Sequence, residues 1–128
     1  VIAMRAALSN PSMVTHLVLC ATSGGIDVAA FGAHDWRPAY RASHPDAPEW
    51  HFERGADLSA SIQTLEIPAL LIWAEADPIS PLAVGEHLHQ LLPQSTLVSF
   101  PGEDHWVVRA QAEMVAAEID AHLAREPN

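Results

Sequence analysis

Two polar residues that can share a proton, Asp77 and His105, each follow shortly after an apolar run of the chain, at 69–73 and 96–100. A carboxylate bonded to an imidazole fixes the ring tautomer and stabilises the protonated ring, so the imidazole can act first as general base and then as general acid. Open α/β sheets place such groups beyond the carboxyl ends of their strands. The order, acid before histidine, predicts two members of a catalytic triad, and no convincing nucleophile precedes them.

The elements that must position these side chains alternate between strands and helices. Continuously apolar runs predict buried strands at His16–Ala21, Ala69–Glu75 and Ser95–Phe100. Helices are predicted at Val1–Leu8 and Asp57–Leu65. A third is predicted from a Ser80 cap through Pro81 to Leu92, with an apolar stripe at Val84, Leu88, Leu91 and Leu92. A fourth is predicted from Val107 to about Ala124, with an apolar stripe at Val108, Ala112, Val115, Ile119 and Leu123. This alternation predicts an α/β fold with about three parallel strands and flanking helices.

The segment 26–54 interrupts the alternation. It is rich in aromatic residues and also contains Pro38, Pro45 and Pro48. It is too apolar for a plain linker and too often broken by proline for one long helix. We predict a cap-like insertion of short helices over the carboxyl edge of the sheet, within a single domain spanning residues 1–128.

The bulk composition narrows the possible partners. The 128 residues carry a formal charge of −10, which argues against nucleic acid and anionic membranes because both select cationic surfaces. No apolar run approaches the ~20 residues of a membrane-spanning helix. The start of the chain lacks a signal-peptide pattern, and the lone Cys20 lies in an apolar run as a core residue would. A cytoplasmic location is expected.

Neither a cofactor nor a metal ion is predicted. His87 and His89 lie two positions apart on one helix and therefore point to different faces. The histidines of the cap-like segment have spacings that match no metal-binding motif.

The sequence around the two polar residues resembles the α/β-hydrolase superfamily. Residues 67–81, which read IPALLIWAEADPISP, look like the family's acid-bearing strand and loop, and 101–105, PGEDH, resemble its histidine loop. The segment Val14–Gly25 is similar to the preceding strand, and Val1–Leu8 to the end of the helix after the nucleophile. The resemblance covers the C-terminal half of that fold only. Ala74 stands where the family often has glycine.

The resemblance implies hydrolysis of a small carboxylic ester, esterase- or lactonase-like in class, with Asp77 as the triad acid and His105 as the base. The family's nucleophile lies on a Gly-x-Ser-x-Gly turn, which would precede Val1 together with the oxyanion donors. We therefore expect the chain to be the C-terminal portion of such an enzyme and to be inactive alone. The exposed edge of its first strand would pair with the missing N-terminal half or with another copy in a homo-oligomer.

Two other functions stay open. Ser23, in the turn Ala21–Gly25 after the first strand, stands in the right chain order to serve as nucleophile of a compact hydrolase. Against this, the family places another strand between nucleophile and acid, and none is evident between Gly25 and Pro68. The chain could also be a non-catalytic binding or oligomerisation module that reuses the half-fold.

Overall fold

The computed structural model describes residues 1–125, in which nine helices and strands alternate broadly as predicted. In chain order they are α1 (Ile2–Ser9), β1 (Leu17–Cys20), α2 (Arg37–Ser43), α3 (Ser59–Ile62), β2 (Ala69–Ala74), α4 (Leu82–Leu91), β3 (Ser95–Phe100), α5 (Val107–Ala110) and α6 (Ala112–Leu123). Short 3-10 turns occupy Pro11–Met13, Val28–Phe31 and Glu49–Phe52.

The sheet is parallel, with β2 between β1 and β3. Leu71 in β2 pairs with Leu19 in β1 and with Leu97 in β3. All six residues of β2 are buried, because both faces of this central strand are covered. The prediction of an α/β fold with about three parallel strands and flanking helices is confirmed.

Alternate residues of β2 supply two separate cores. Leu71 and Trp73 pack toward α1, α3 and α4 in one cluster, while Leu70 and Ile72 join Val115 of α6 in the other. Burying a large apolar side chain contributes roughly 1.5–3 kcal/mol, so β2 anchors both layers. The central strand and its following loop are therefore held from two sides.

Three local predictions needed correction. Ser80 does not cap α4: the N-cap is Pro81, without a side-chain bond, and the Ser80 hydroxyl is engaged elsewhere. The predicted helix over 57–65 is only the four residues of α3, preceded by Asp57, whose carboxylate accepts from the Ser59 amide at 2.8 Å.

The last predicted helix is two helices. Gln111, at φ −118° and ψ 36°, separates α5 from α6. Val115 and His122 are buried and Ile119 is half-buried, whereas Leu123 is 53% exposed. The predicted stripe was therefore right at Val115 and Ile119 and wrong at its other members, which are exposed: Val108, Ala112 and Leu123.

The segment 26–54 contains two 3-10 turns and α2, held together by ring contacts. Trp36 meets the Tyr40 ring edge-on at 5.5 Å, and Tyr40 stacks on His44 at 4.1 Å. Arg41 lies over the Phe52 ring at 4.0 Å. The role of segment 26–54 as a cap remains a prediction.

Among the helices of residues 1–125, none combines the length and hydropathy needed to span a membrane.

Candidate active site

Asp77 and His105 meet beyond the carboxyl ends of β2 and β3. Nδ1 of His105 lies 2.8 Å from Oδ2 of Asp77. The Asp77 side chain is fully buried, while that of His105 is 27% exposed. A carboxylate oxygen only accepts, so this bond places the imidazole proton on Nδ1 and leaves Nε2 as the other ring nitrogen.

The second oxygen of Asp77 is held by its own loop. Oδ1 accepts from the backbone amides of Ile79 at 2.8 Å and Ser80 at 3.0 Å. Aspartate readily accepts from amides two and three residues ahead, and Pro78 cannot compete as a donor. Both carboxylate oxygens are therefore engaged, and the side chain has one orientation.

The histidine loop is tied to the acid loop through the backbone. Glu75 donates its amide to the Phe100 carbonyl at 3.2 Å, and Ala76 donates to the Glu103 carbonyl at 3.0 Å. Gly102 supports the turn with a φ of 74°, a left-handed value that favours glycine. These two bonds bring together loops that are far apart in sequence.

Asp104, although adjacent to His105, is bonded elsewhere. Its Oδ1 accepts from the Trp106 amide at 2.8 Å, just before α5. Asp77 is therefore the carboxylate that orients the imidazole.

A cavity of about 690 Å³ opens beside His105. Its walls come from the loop after β1, from 25–29, 33–37 and 53–57, and from His51, Ile79 and Ser80. On one wall, Asp35 bonds Arg37 at 3.0 Å and Arg54 at 3.2 Å. The hydrogen bond from Arg37 holds the pKa of the Asp35 carboxyl below its usual value. This wall is polar and belongs to the predicted cap.

A second pocket, of about 420 Å³, lies within residues 40–51 and includes neither Asp77 nor His105. Within residues 1–125, no group of three or more His, Cys, Asp or Glu side chains is arranged to hold a metal ion.

Ser23 lines the same cavity as His105, on the loop that follows β1. Its Oγ accepts from the Gly25 amide at 3.4 Å, and the described residues show no bond from it to His105. The non-glycine residue of this loop with a left-handed φ is Ala21, at 41°, not Ser23, and turns rather than a helix follow Ser23. A nucleophile elbow is a strained turn that leads from a strand into a helix. The form of this loop therefore differs from an elbow.

The sequence did not predict the part that Ser80 plays in the site. Ser80 is 3% exposed, and its hydroxyl donates to the Thr22 carbonyl at 3.1 Å across the site. The bond from the Ser80 amide to Asp77 is ordinary turn chemistry that the sequence can suggest. The acceptor of the Ser80 hydroxyl lies in a segment that is distant in sequence, so the sequence does not suggest that bond.

Comparison with known proteins places these features in a family. Residues 39–126 match the model of a family described as TAP-like protein, one of the α/β-hydrolase families. A stretch of 58 residues is 38% identical to the uncharacterized hydrolase YugF of Bacillus subtilis, covering 45% of this chain and 21% of that protein.

Solved α/β-hydrolase structures share the fold. The Rv0554 protein of Mycobacterium tuberculosis matches 99% of this chain with 62% of its own, at a TM-score of 0.76 and 16% identity. The match to an esterase of Thermogutta terrifontis covers 95% of this chain and 60% of the esterase, with a TM-score of 0.71 and 21% sequence identity.

A meta-cleavage product hydrolase of Pseudomonas fluorescens gives a TM-score of 0.68 at 16% identity, over 95% of this chain and 60% of that one. The chain spans between 54% and 62% of the length of solved structures that it resembles. At these identities, the likeness to solved structures shows the fold.

Proposed function

The chain belongs to the TAP-like protein family of α/β-hydrolases, and on that premise we propose that it supplies the acid and the base of a hydrolase acting on small carboxylic esters. Asp77 is the acid and His105 the base. Within this class an esterase- or lactonase-like activity agrees best with a cavity of about 690 Å³ beside the histidine.

The observation that carries the proposal is the 2.8 Å bond between His105 Nδ1 and Asp77 Oδ2. It requires the tautomer in which Nε2 carries the lone pair. That nitrogen belongs to a side chain that lines the cavity, so a nucleophile placed there could give it a proton.

In the proposed reaction, Nε2 of His105 takes the proton of the nucleophile as the nucleophile attacks the ester carbonyl. The imidazolium formed is stabilised by Asp77 and returns the proton to the leaving alkoxide. A second cycle, with water as the attacking group, releases the acid product. Asp77 stays ionised throughout and acts by orientation and charge.

We propose that the nucleophile and the oxyanion donors come from sequence outside these 128 residues and that the isolated chain is inactive. Two serines of the described part line the cavity. The Ser80 hydroxyl already donates to the Thr22 carbonyl, and the loop that carries Ser23 differs from a nucleophile elbow. Solved relatives of greater length also support this proposal.

The test is hydrolysis of a short-chain p-nitrophenyl ester by the parent chain and by Ser23→Ala and His105→Ala. We expect all three to match the rate without protein. Turnover that both substitutions abolish would instead support the compact hydrolase using Ser23. A longer protein that includes any sequence encoded ahead of Val1 should turn the ester over and lose most of that rate on His105→Ala; if it shows no such activity, the hydrolase proposal fails.

We also propose that the free edge of β1 is paired in the working assembly, with further sequence of the same protein or with a second copy. Among the described residues, β1 has a strand neighbour on one side, β2. Unpaired strand edges readily accept another strand. A stable monomer in light scattering at micromolar concentration would exclude the homo-oligomer. A large interface without any esterase activity would favour the binding-module alternative.

The compartment stays a proposal as well. We propose the cytoplasm, because a single cysteine without a disulfide partner suits a reducing environment.

A further inference from the structure

We propose that Ser80 is a positioning residue for the Asp77–His105 pair, acting through its hydroxyl and not through contact with substrate. The inference rests on the proposed function in one respect: Asp77 and His105 must act as a pair. It assigns to Ser80 a part in the site that differs from the helix capping expected of a serine before Pro81.

Ser80 makes three hydrogen bonds to three separate segments. Its amide donates to Asp77 Oδ1 at 3.0 Å, its hydroxyl donates to the Thr22 carbonyl at 3.1 Å, and its carbonyl accepts from Trp73 Nε1 at 2.9 Å. One residue thus joins the carboxylate to the loop after β1 and to the strand β2.

The Trp73 anchor cannot move easily. Its side chain is fully buried, and α4 passes so close that a Cβ added at Gly85 would lie 2.7 Å from the ring. The bond from the Trp73 indole N–H therefore fixes the position of the Ser80 carbonyl relative to the sheet. The peptide that carries the Ser80 amide can still rotate when only this bond is present.

The hydroxyl removes that freedom. Thr22 stands in a turn whose geometry is set by Ala21 at φ 41° and by Gly24 at φ 60°. Its carbonyl is a fixed acceptor 58 residues away in sequence. With Oγ bonded to that carbonyl, the Ser80 amide points at Asp77, and the carboxylate presents its other oxygen to His105.

The hydroxyl makes this contact instead of capping a helix. Serine before a proline at the first helical position normally bonds the helix amides, yet α4 begins at a Pro81 cap that makes no side-chain bond. Ser80 lies one residue before that cap, and its buried hydroxyl bonds the loop after β1.

The experiment uses the 128-residue chain with ¹⁵N-labelled histidine. NMR follows the Nδ1 proton of His105, which is slow to exchange while it bonds Asp77, and the ring nitrogen shifts that report the tautomer. We expect Ser80→Ala to speed exchange of that proton by at least about tenfold, because a loss of bonding free energy equal to one pKa unit corresponds to a factor of ten. We also expect the His105 ring to become a mixture of tautomers. The circular dichroism of the fold should not change.

Ser80→Thr keeps the donor and should restore the parent spectrum. Ser95→Ala is the matched control, because Ser95 Oγ also donates to a backbone carbonyl, that of Leu92 at 2.9 Å, but at the opposite end of the sheet. If Ser80→Ala fails to fold, Ser80→Cys takes its place, because the thiol fills similar space as a weaker donor.

A parent-like His105 spectrum in the folded Ser80 variant overturns the proposal, and so does an equal change in Ser95→Ala. The failure of the acid–base pair itself looks different. In that case the parent chain would already lack the protected Nδ1 proton.

Discussion

The Nδ1 atom of His105 lies 2.8 Å from Oδ2 of Asp77 although 28 residues separate the two in sequence. The approach depends on two parallel strands, β2 and β3, that end at the same edge of the sheet. Each residue follows its strand by only a few positions, so the geometry of the pair follows from the register of the strands.

Replacing Asp77 by Asn should reverse the tautomer of His105. The amide group can donate to Nδ1, which moves the imidazole proton to Nε2 and removes the lone pair that a general base needs. The ¹⁵N shifts of the His105 ring measure the change in the 128-residue chain. In a longer, active protein, we expect kcat to fall by about four orders of magnitude. An unchanged tautomer would contradict the assignment of Asp77 as the orienting acid.

Gly85→Ala should destabilise the fold although it improves helix propensity. The added Cβ would lie 2.7 Å from Cδ2 of Trp73, a fully buried ring whose indole nitrogen is bonded. Helix propensity favours Ala by about 1 kcal/mol, whereas overpacking costs roughly 1–3 kcal/mol. We expect a net loss of about 1 kcal/mol, measured by urea unfolding.

Gly55→Ala is the control for that substitution. Its Cβ would meet only the far end of the Arg5 side chain, which can move. A change within about 0.5 kcal/mol is expected there. If Gly85→Ala proves more stable than the parent, then the ring is less rigidly held than the structure indicates.

The stability of the chain should fall in mild acid because of His122. This side chain is 2% exposed, its ring meets that of His16 edge-on at 5.1 Å, and within residues 1–125 neither of its ring nitrogens has a hydrogen-bond partner of normal geometry. Burial lowers the pKa of His122 below 6.5, and the charges of His16 and Arg125 lower this pKa further. The Leu17 backbone acts in the opposite direction and raises it.

The sign follows from proton binding. The unfolded chain binds the His122 proton more readily, so the stabilising contribution is complete above a pH of about 6.5 and is lost as the pH falls through the lowered folded pKa. We expect the urea midpoint to drop between about pH 7.5 and about 5.5. His122→Leu should reduce that slope, while His34→Gln, at an exposed position, should retain it. Equal slopes in the parent and His122→Leu would contradict this account.

Cys20 should react slowly with thiol reagents in the native chain. Burial raises the pKa of the Cys20 thiol, and the thiolate is the form that reacts. With 5,5′-dithiobis(2-nitrobenzoate), we expect modification at least about ten times slower than in urea. Equal rates would mean that β1 opens freely in the native state.

The sequence was sufficient for those features that depend on local pattern. The continuous apolar run of β2 predicted its burial, and the positions of Asp77 and His105 after successive strands predicted their meeting. The parallel order followed from the alternation of strands and helices.

Features that depend on distant partners were missed. Ser80 reads as a helix cap until the Thr22 carbonyl, far away in sequence, is brought beside it. The break at Gln111 has no proline or glycine to signal it, and His122 is buried where the stripe predicted Leu123. In both cases tertiary contacts override the local preference.

The Trp73–Ser80 bond also gives the acid loop an optical reporter. Trp73 is fully buried, whereas Trp50 and Trp106 are 68% and 58% exposed and Trp36 is half-buried. An aqueous quencher will remove emission from the exposed indoles first, so the light that survives comes mainly from the ring bonded to the Ser80 carbonyl. Movement of that loop can therefore be followed by fluorescence in an unlabelled protein.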